Sequence, residues 1–322
     1  MDPSSNRLAD TASRTGGGES VLVAGGTGFI GSAIVRRLAE RGARVTVLTR
    51  DVERAARGGV SDGVEFRPGD VKRPETLPVA LSGMDVIVDC VQFPGFPVED
   101  PSRDRTFLGV DAAGARALTE AARRTGARKF VYLSGVGADI TSRRQWYRAK
   151  GIAEAAVSGS ELAYAIVRPS WVYGPGDASL NRFATIIRRV PGFFPQIGPG
   201  DQRLNPVFIE DVARLVAEVT TTAVADGHIV EVGGPEVMTL DEILRVTMRV
   251  LDREKPIVHF PIPLVKLGAR LLELLPGQIL SRDAVDFITQ GAIADLEVLG
   301  RLFPHLRPRP LEEALRETLP RS

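Results

Sequence analysis

The stretch VLVAGGTGFIG, residues 21–31, decides the fold. Four apolar residues, Val21 to Ala24, read as a buried strand. The glycines that follow are spaced Gly25-x-x-Gly28-x-x-Gly31, and residues 29–40 show the apolar period of a helix. A glycine motif between a strand and a helix predicts a phosphate loop. Gly25 would permit the tight turn, Gly28 would let backbone approach a pyrophosphate, and Gly31 would let helix and strand pack closely. Thr27, Phe29 and Ile30 complete the loop. The start of the helix would offer free N–H groups and a partial positive charge to an anion.

Working outward, the same alternation repeats. Strands are expected at 45–48, 64–66, 86–91, 129–134 and 163–168. Helices are expected at 106–125 and 146–158. Runs of Val, Ile and Leu separated by helices predict a parallel sheet covered on both faces. The expected class is α/β, a Rossmann-type doubly wound sheet. After Pro169 the texture changes. Residues 171–206 are rich in Gly, Pro and aromatics, and the rest reads as a smaller, mainly helical C-terminal lobe with strands at 228–232 and 256–260. The expected organisation is a disordered tail at 1–18, a dinucleotide-binding domain at 19–170, and a cap lobe at 171–322 interleaved with the sheet edge.

Composition narrows the function. The 322 residues hold 41 basic and 40 acidic side chains, so no charge excess points to nucleic acid. A single cysteine, Cys90, excludes an internal disulfide and a Cys-rich metal site. The three histidines show no ligand spacing, and no metal is expected. No apolar run follows Met1 and none reaches 18 residues, so the expectation is a cytoplasmic chain. Residues 262–275, IPLVKLGARLLELL, carry a narrow polar stripe on a wide apolar face. They read as a packing helix, or else as a docking surface for a partner protein or a membrane.

The nucleotide can be read at the end of the second strand. An NAD site usually places an acid there for the ribose 2′-OH. Here the residues are Leu48-Thr49-Arg50, with Arg54 one turn later. Guanidinium pairs with phosphate, so NADP(H) is favoured over NAD(H). Asp51 opposes this, but is equally placed to cap the next helix. Asp70, after the third strand, is either an adenine contact with Val71 or a turn residue after Pro68-Gly69.

With these residues in hand, the chain resembles the short-chain dehydrogenase/reductase superfamily in its extended and atypical branches. The resemblance rests on GGTGFIG (25–31), Asp70-Val71, Val110-Asp111-x-x-Gly114, FVYLS (130–134), RPSWVYGPGD (168–177), VFIEDVA (207–213) and VGGPEVMTLDEI (232–243). It looks most like the branch of NADPH-binding accessory subunits of respiratory complex I and their bacterial, epimerase/dehydratase-like relatives. The resemblance implies two readings: an oxidoreductase or epimerase-type enzyme on an unknown small molecule, or a non-catalytic cofactor-binding subunit, assembly factor or redox sensor. It also implies a tyrosine with a lysine four residues later, plus a serine. The lysine would lower the phenol pKa and bond the nicotinamide ribose.

This sequence departs from that pattern. Four residues before Lys150 stands Trp146, whose indole is donor only. Tyr147 is three before Lys150, about 100° round the helix, and would reach the pocket if the helix began irregularly. Ser134 ends the fifth strand, but Gly135 competes for the hydroxyl position. Candidate catalytic residues are therefore Tyr147, Lys150 and Ser134. Lys150 is also the expected ribose contact, and Pro169 and Ser170 would line the nicotinamide. Phe93, Phe96, Trp171, Tyr173 and Phe183 are candidate walls of an apolar pocket.

Overall fold

Strand alternation sorts the core into two layers. In the computed structural model, which describes residues 18–58, 60, 62–93, 98–265 and 290–319, strand β1 (Ser20–Ala24) is buried along its whole length. Val21 and Val23 face one side of the sheet, Leu22 and Ala24 the other. The first side is covered by helix α1 (Phe29–Glu40), through Ile34, Val35 and Leu38. The second is covered by α3 (Leu77–Leu81), α4 (Ala113–Thr125) and α5 (Gln145–Ser158), through Leu77, Leu118 and Ala153 among others. Each fully buried Val, Leu or Ile contributes roughly 1.5–3 kcal/mol, so the layered apolar pattern is what commits the chain to this fold.

The remaining strands of the sheet are β2 (Arg44–Thr49), β3 (Glu65–Pro68), β4 (Val86–Asp89), β5 (Lys129–Leu133), β6 (Ala163–Pro169) and β11 (His228–Val232). All pairings are parallel and the order is β11-β6-β5-β4-β1-β2-β3. The order reverses between β1 and β4, which places a crevice above their carboxyl ends. Helix α2 (Val52–Arg57) follows β2 and is capped by Asp51, whose carboxylate accepts the Arg54 amide at 3.0 Å.

One feature differs from the sequence reading. The long helix expected over 106–125 begins as a π-helix, Phe107–Ala112, capped by the Thr106 hydroxyl. The wider turn rotates Val110 and Asp111 toward the sheet, and both are buried. The chain returns to the sheet after residue 170, at the strand expected over 228–232. Strand β11 pairs with β6, and α7 (Ile209–Thr221) joins α1 on the same face. Nucleotide domain and cap thus share one core.

The cap itself is built on α6 (Leu180–Arg189), α8 (Leu240–Val250) and three two-stranded pairs. These are β7 (Val172–Tyr173) with β10 (Val207–Phe208), β9 (Arg203–Leu204) with β12 (Met238–Thr239), and β8 (Phe194–Ile197) with β13 (Ile257–Phe260). Helix α8 starts in a capping box, Thr239 with Glu242, a device worth about 1 kcal/mol. Of the stretch 262–275, residues 262–265 are helical and the rest lies outside the described residues. Among the described residues, no helix is long and apolar enough to cross a membrane.

Candidate functional site

A continuous cleft of about 1350 Å³ opens at the reversal of strand order. Its floor is the β1–α1 turn. Gly25 has φ +79°, and a Cβ there would sit 2.6 Å from the Cys90 carbonyl oxygen, so the turn passes too close to the end of β4 for any side chain. At Gly31 a Cβ would lie 2.2 Å from the Gly25 oxygen, which is the close helix–strand packing expected of that glycine. Gly28 is different. Its Cβ would meet only the Gly25 oxygen, at 3.2 Å, and would otherwise stand in the open cleft. Helix α1 has no side-chain cap at Gly28 and no acid in its first turn. Its first N–H groups and its dipole therefore face the cleft uncompensated.

Thr27, Phe29, Ile30, Arg50, Asp70, Val71, Ser134, Tyr147, Lys150, Pro169 and Ser170 line this same cleft. The fold thus gathers every residue expected to hold a nucleotide or act on a substrate. Arg50 and Arg54 stand at one end, with no ion pair among the described residues. Asp51 is turned to its capping role. Asp70 accepts the Lys72 amide at 3.0 Å, the turn role, while still bordering the cleft. Val71 packs on Gly114, where a Cβ would come within 2.8 Å of it. The residues present fit a dinucleotide: an uncapped helix start for the pyrophosphate and unpaired guanidinium groups for a further anion.

The other end is where acid–base chemistry would be done. Helix α5 starts regularly at Gln145, and the Arg148 amide bonds the Arg144 carbonyl at 3.0 Å. The irregular start that would swing Tyr147 into the usual position is absent. Trp146 holds that position with its indole against Gly135, where a Cβ would fall 2.5 Å from Cη2. The Tyr147 ring rests on Gly137 and meets Trp146 edge-on at 4.8 Å. Burial pushes the Tyr147 phenol up, with Arg144 opposing, whereas general acid–base work needs it lowered.

Ser134 and Ser170 line the cleft, but their hydroxyls are engaged. Ser134 Oγ donates to Glu154, which also takes a two-pronged contact from Arg168 at 2.8 and 2.6 Å. Ser170 Oγ donates to the Ala292 carbonyl at 2.7 Å and ties residues 290–292 to the cleft edge. Lys150 is buried. Its ammonium bonds the Leu133 carbonyl at 3.2 Å and lies 3.7 Å from Asp111.

Trp171 and Phe183 wall the cleft, ring centroids 6.1 Å apart, and Phe93 lines it as well. Tyr173 does not. It is fully buried against Phe208, because β7 pairs with β10 and turns that side chain into the core. Phe96 lies outside the described residues. No cluster of metal-ligating side chains occurs among the described residues.

Sequence reading named Asp111 only within the motif Val110-Asp111-x-x-Gly114 and gave neither of the buried acids near Lys150 a role. Asp89 ends β4 and Asp111 sits in the π-helix. Desolvation raises their carboxyls, to about 6 and about 7, against the pull of Lys150. An acid inside the apolar run VIVDCV was the available signal, since a charge buried in a strand needs a partner. Gln290, Gly291 and Ala292 also reach the cleft, and nothing in their composition announces it.

Comparison with known proteins agrees with this geometry. Residues 25–187 match the family model described as NAD(P)H-binding. The chain is 28% identical to the mitochondrial NADH dehydrogenase [ubiquinone] 1 alpha subcomplex subunit 9 of Arabidopsis thaliana, covering 92% of this chain and 79% of that one. It is 30% identical to the NAD(P)H azoreductase of Xenophilus azovorans, covering 69% and 71%. Among solved structures, an epimerase of Methanothermobacter thermautotrophicus superposes with a TM-score of 0.73 at 21% identity, covering 94% and 91%, which shows a shared fold.

Proposed function

The chain belongs to the NAD(P)H-binding family of the short-chain dehydrogenase/reductase type, and on that premise we propose that it is an NADP(H)-dependent oxidoreductase. Its acceptor would be one that needs no protein acid to receive a hydride. What carries the reading is the contrast between the two ends of one cleft. The nucleotide end is complete, and the acid–base end is not.

The uncapped start of α1 would hold the pyrophosphate, and Arg50 with Arg54 the 2′-phosphate. Lys150 would bond the nicotinamide ribose, and Pro169 and Ser170 would flank the ring. When bound, a reduced nicotinamide supplies a hydride. Trp146, Trp171 and Phe183 offer flat apolar walls to a planar acceptor and exclude water. An isolated carbonyl would become an alkoxide and would need a proton at once. Ser134 is bonded to Glu154, and the Tyr147 phenol is pushed up, so neither is tuned to give one. A quinoid or azo acceptor spreads the incoming charge and can take its proton from water. The name of the azoreductase relative supports that acceptor class.

The test is NADPH oxidation with a quinone and with a simple ketone or aldehyde of matched polarity. Quinone turnover exceeding carbonyl turnover at least tenfold is expected; the reverse order would sink the proposal. A second reading, a cofactor-holding subunit, is favoured by Lys150 facing Asp111 rather than Tyr147, and by the complex I relative. It predicts a thermal shift on NADPH binding with no oxidation by any acceptor.

A further inference from the structure

Beneath the nicotinamide end of the cleft lie two carboxyls and one ammonium, all shut from water. Asp89 is 1% exposed, Asp111 2% and Lys150 5%. They come from three elements: the end of β4, the π-helix and α5. We propose that Asp111 is a positioning residue that holds Lys150 before a nucleotide binds and takes up a proton when the nucleotide ribose draws that ammonium away. The inference rests on the reading of Lys150 as a ribose contact.

The local charge balance motivates it. The groups that bear on Asp111 are Lys150 from α5, Asp89 from β4, Glu99 from the loop before the π-helix, and the Phe93 backbone amide. Lys150 is the one cation among them. The Tyr132 ring, from β5, lies 5.1 Å from the Lys150 ammonium, and its buried phenol is raised further by Asp89, Asp111 and Glu154. It therefore stays neutral and cannot balance either acid. Two acids thus compete for one ammonium in a dry site, and desolvation disfavours charge on both. Asp89 has a fixed partner, the Val91 amide at 2.9 Å. Asp111 depends more on Lys150, at 3.7 Å.

A ribose hydroxyl is a competing acceptor for the same N–H donors. Once Lys150 turns to it, the attraction that favours the Asp111 carboxylate weakens. The carboxylate then binds a proton from water, and no electron moves. The π-helix is what makes the coupling specific. It carries Asp111 at a buried position 3.7 Å from the ammonium, beside the Leu133 carbonyl that the same ammonium bonds.

Isothermal titration of the full chain with NADPH, in buffers of different ionisation enthalpy, reads the proton count directly as a slope. At pH 7.5 the 2′-phosphate is already nearly a dianion and contributes little. Uptake of about half a proton is expected there, falling toward zero near pH 5.5, where the free protein already holds the protons. Asp111→Asn should abolish most of the slope while NADPH still binds, and Asp89→Asn, which leaves the Lys150 partner in place, should keep most of it. Binding with no slope in the wild type overturns the coupling alone. A slope unchanged in Asp111→Asn overturns the assignment to Asp111. No binding at all would overturn the nucleotide reading, and this coupling with it.

Discussion

Replacing Gly31 with alanine tests how the nucleotide loop is built. The added Cβ would sit 2.2 Å from the Gly25 oxygen, 2.8 Å from its carbonyl carbon and 3.0 Å from Gly26 Cα. All three are backbone atoms, so no side chain can swing aside. Ordinary contact begins at 3.4 Å, so α1 must back away from β1 by roughly 1 Å. Overpacking of this kind costs about 1–3 kcal/mol. At roughly 2–4 °C per kcal/mol for a large domain, Tm should fall by several degrees. The same 1 Å shift would stretch an N–H to phosphate bond from about 2.9 Å to nearly 4 Å, where it is no longer a hydrogen bond. Losing one charge-assisted bond costs about 1.5–3 kcal/mol, so NADPH affinity should drop at least tenfold. Thermal unfolding with and without NADPH measures both effects. Gly28→Ala is the contrast. Its Cβ meets one atom at 3.2 Å and otherwise enters the cleft, so Tm should stay within about a degree while the NADPH shift is lost. A Gly31→Ala protein with wild-type Tm and wild-type NADPH shift would refute the packing argument. So would Gly28→Ala destabilising as much as Gly31→Ala.

Three further outcomes are expected. NADPH should raise Tm more than NADH at equal concentration, and Arg50→Ala with Arg54→Ala should bring the two shifts together; equal shifts in the wild type would remove the 2′-phosphate assignment. Tyr147→Phe should leave quinone-dependent NADPH oxidation within about twofold, because a phenol pushed up by burial is a poor acid near neutrality; a hundredfold loss would restore Tyr147 as the acid. The Asp111 carboxyl is raised from 3.8 to about 7 in the folded protein, so the folded state holds a proton that the unfolded state releases. That contribution is present below about pH 4 and lost as pH rises through 7, at up to about 1.4 kcal/mol per pH unit. Asp111→Asn should therefore gain stability relative to wild type across that interval, measured by urea unfolding at several pH values; a constant difference would contradict the shift.

Much of this molecule can be read without coordinates. The run VLVAGGTGFIG carries its own instructions, because a buried strand, glycines at fixed spacing and an amphipathic helix each follow from local chemistry. The same holds for Asp51, which has the right side chain in the right place to cap α2. Arg50, Asp70 and Pro169 are legible as neighbours because parallel strands deliver their carboxyl ends to one crevice, whereas Lys150 comes from helix α5 and is legible only through the family resemblance.

What tertiary structure alone decided is how the side chains are spent. Ser134 and Ser170 sit where expected, yet their hydroxyls are committed to Glu154 and to Ala292, residues distant in the chain. Tyr173 belongs to the core rather than the pocket, because a two-residue strand pairing sets its direction. A strand is expected over 228–232, but its partner, β6, is set only by the fold. Asp111 reaches Lys150 through a π-turn that the pattern of the helix does not announce. Strand, helix and turn preferences act over a few residues and are visible in sequence. Hydrogen-bond partners and buried charge pairs depend on which distant segments meet, and only the folded chain brings them together.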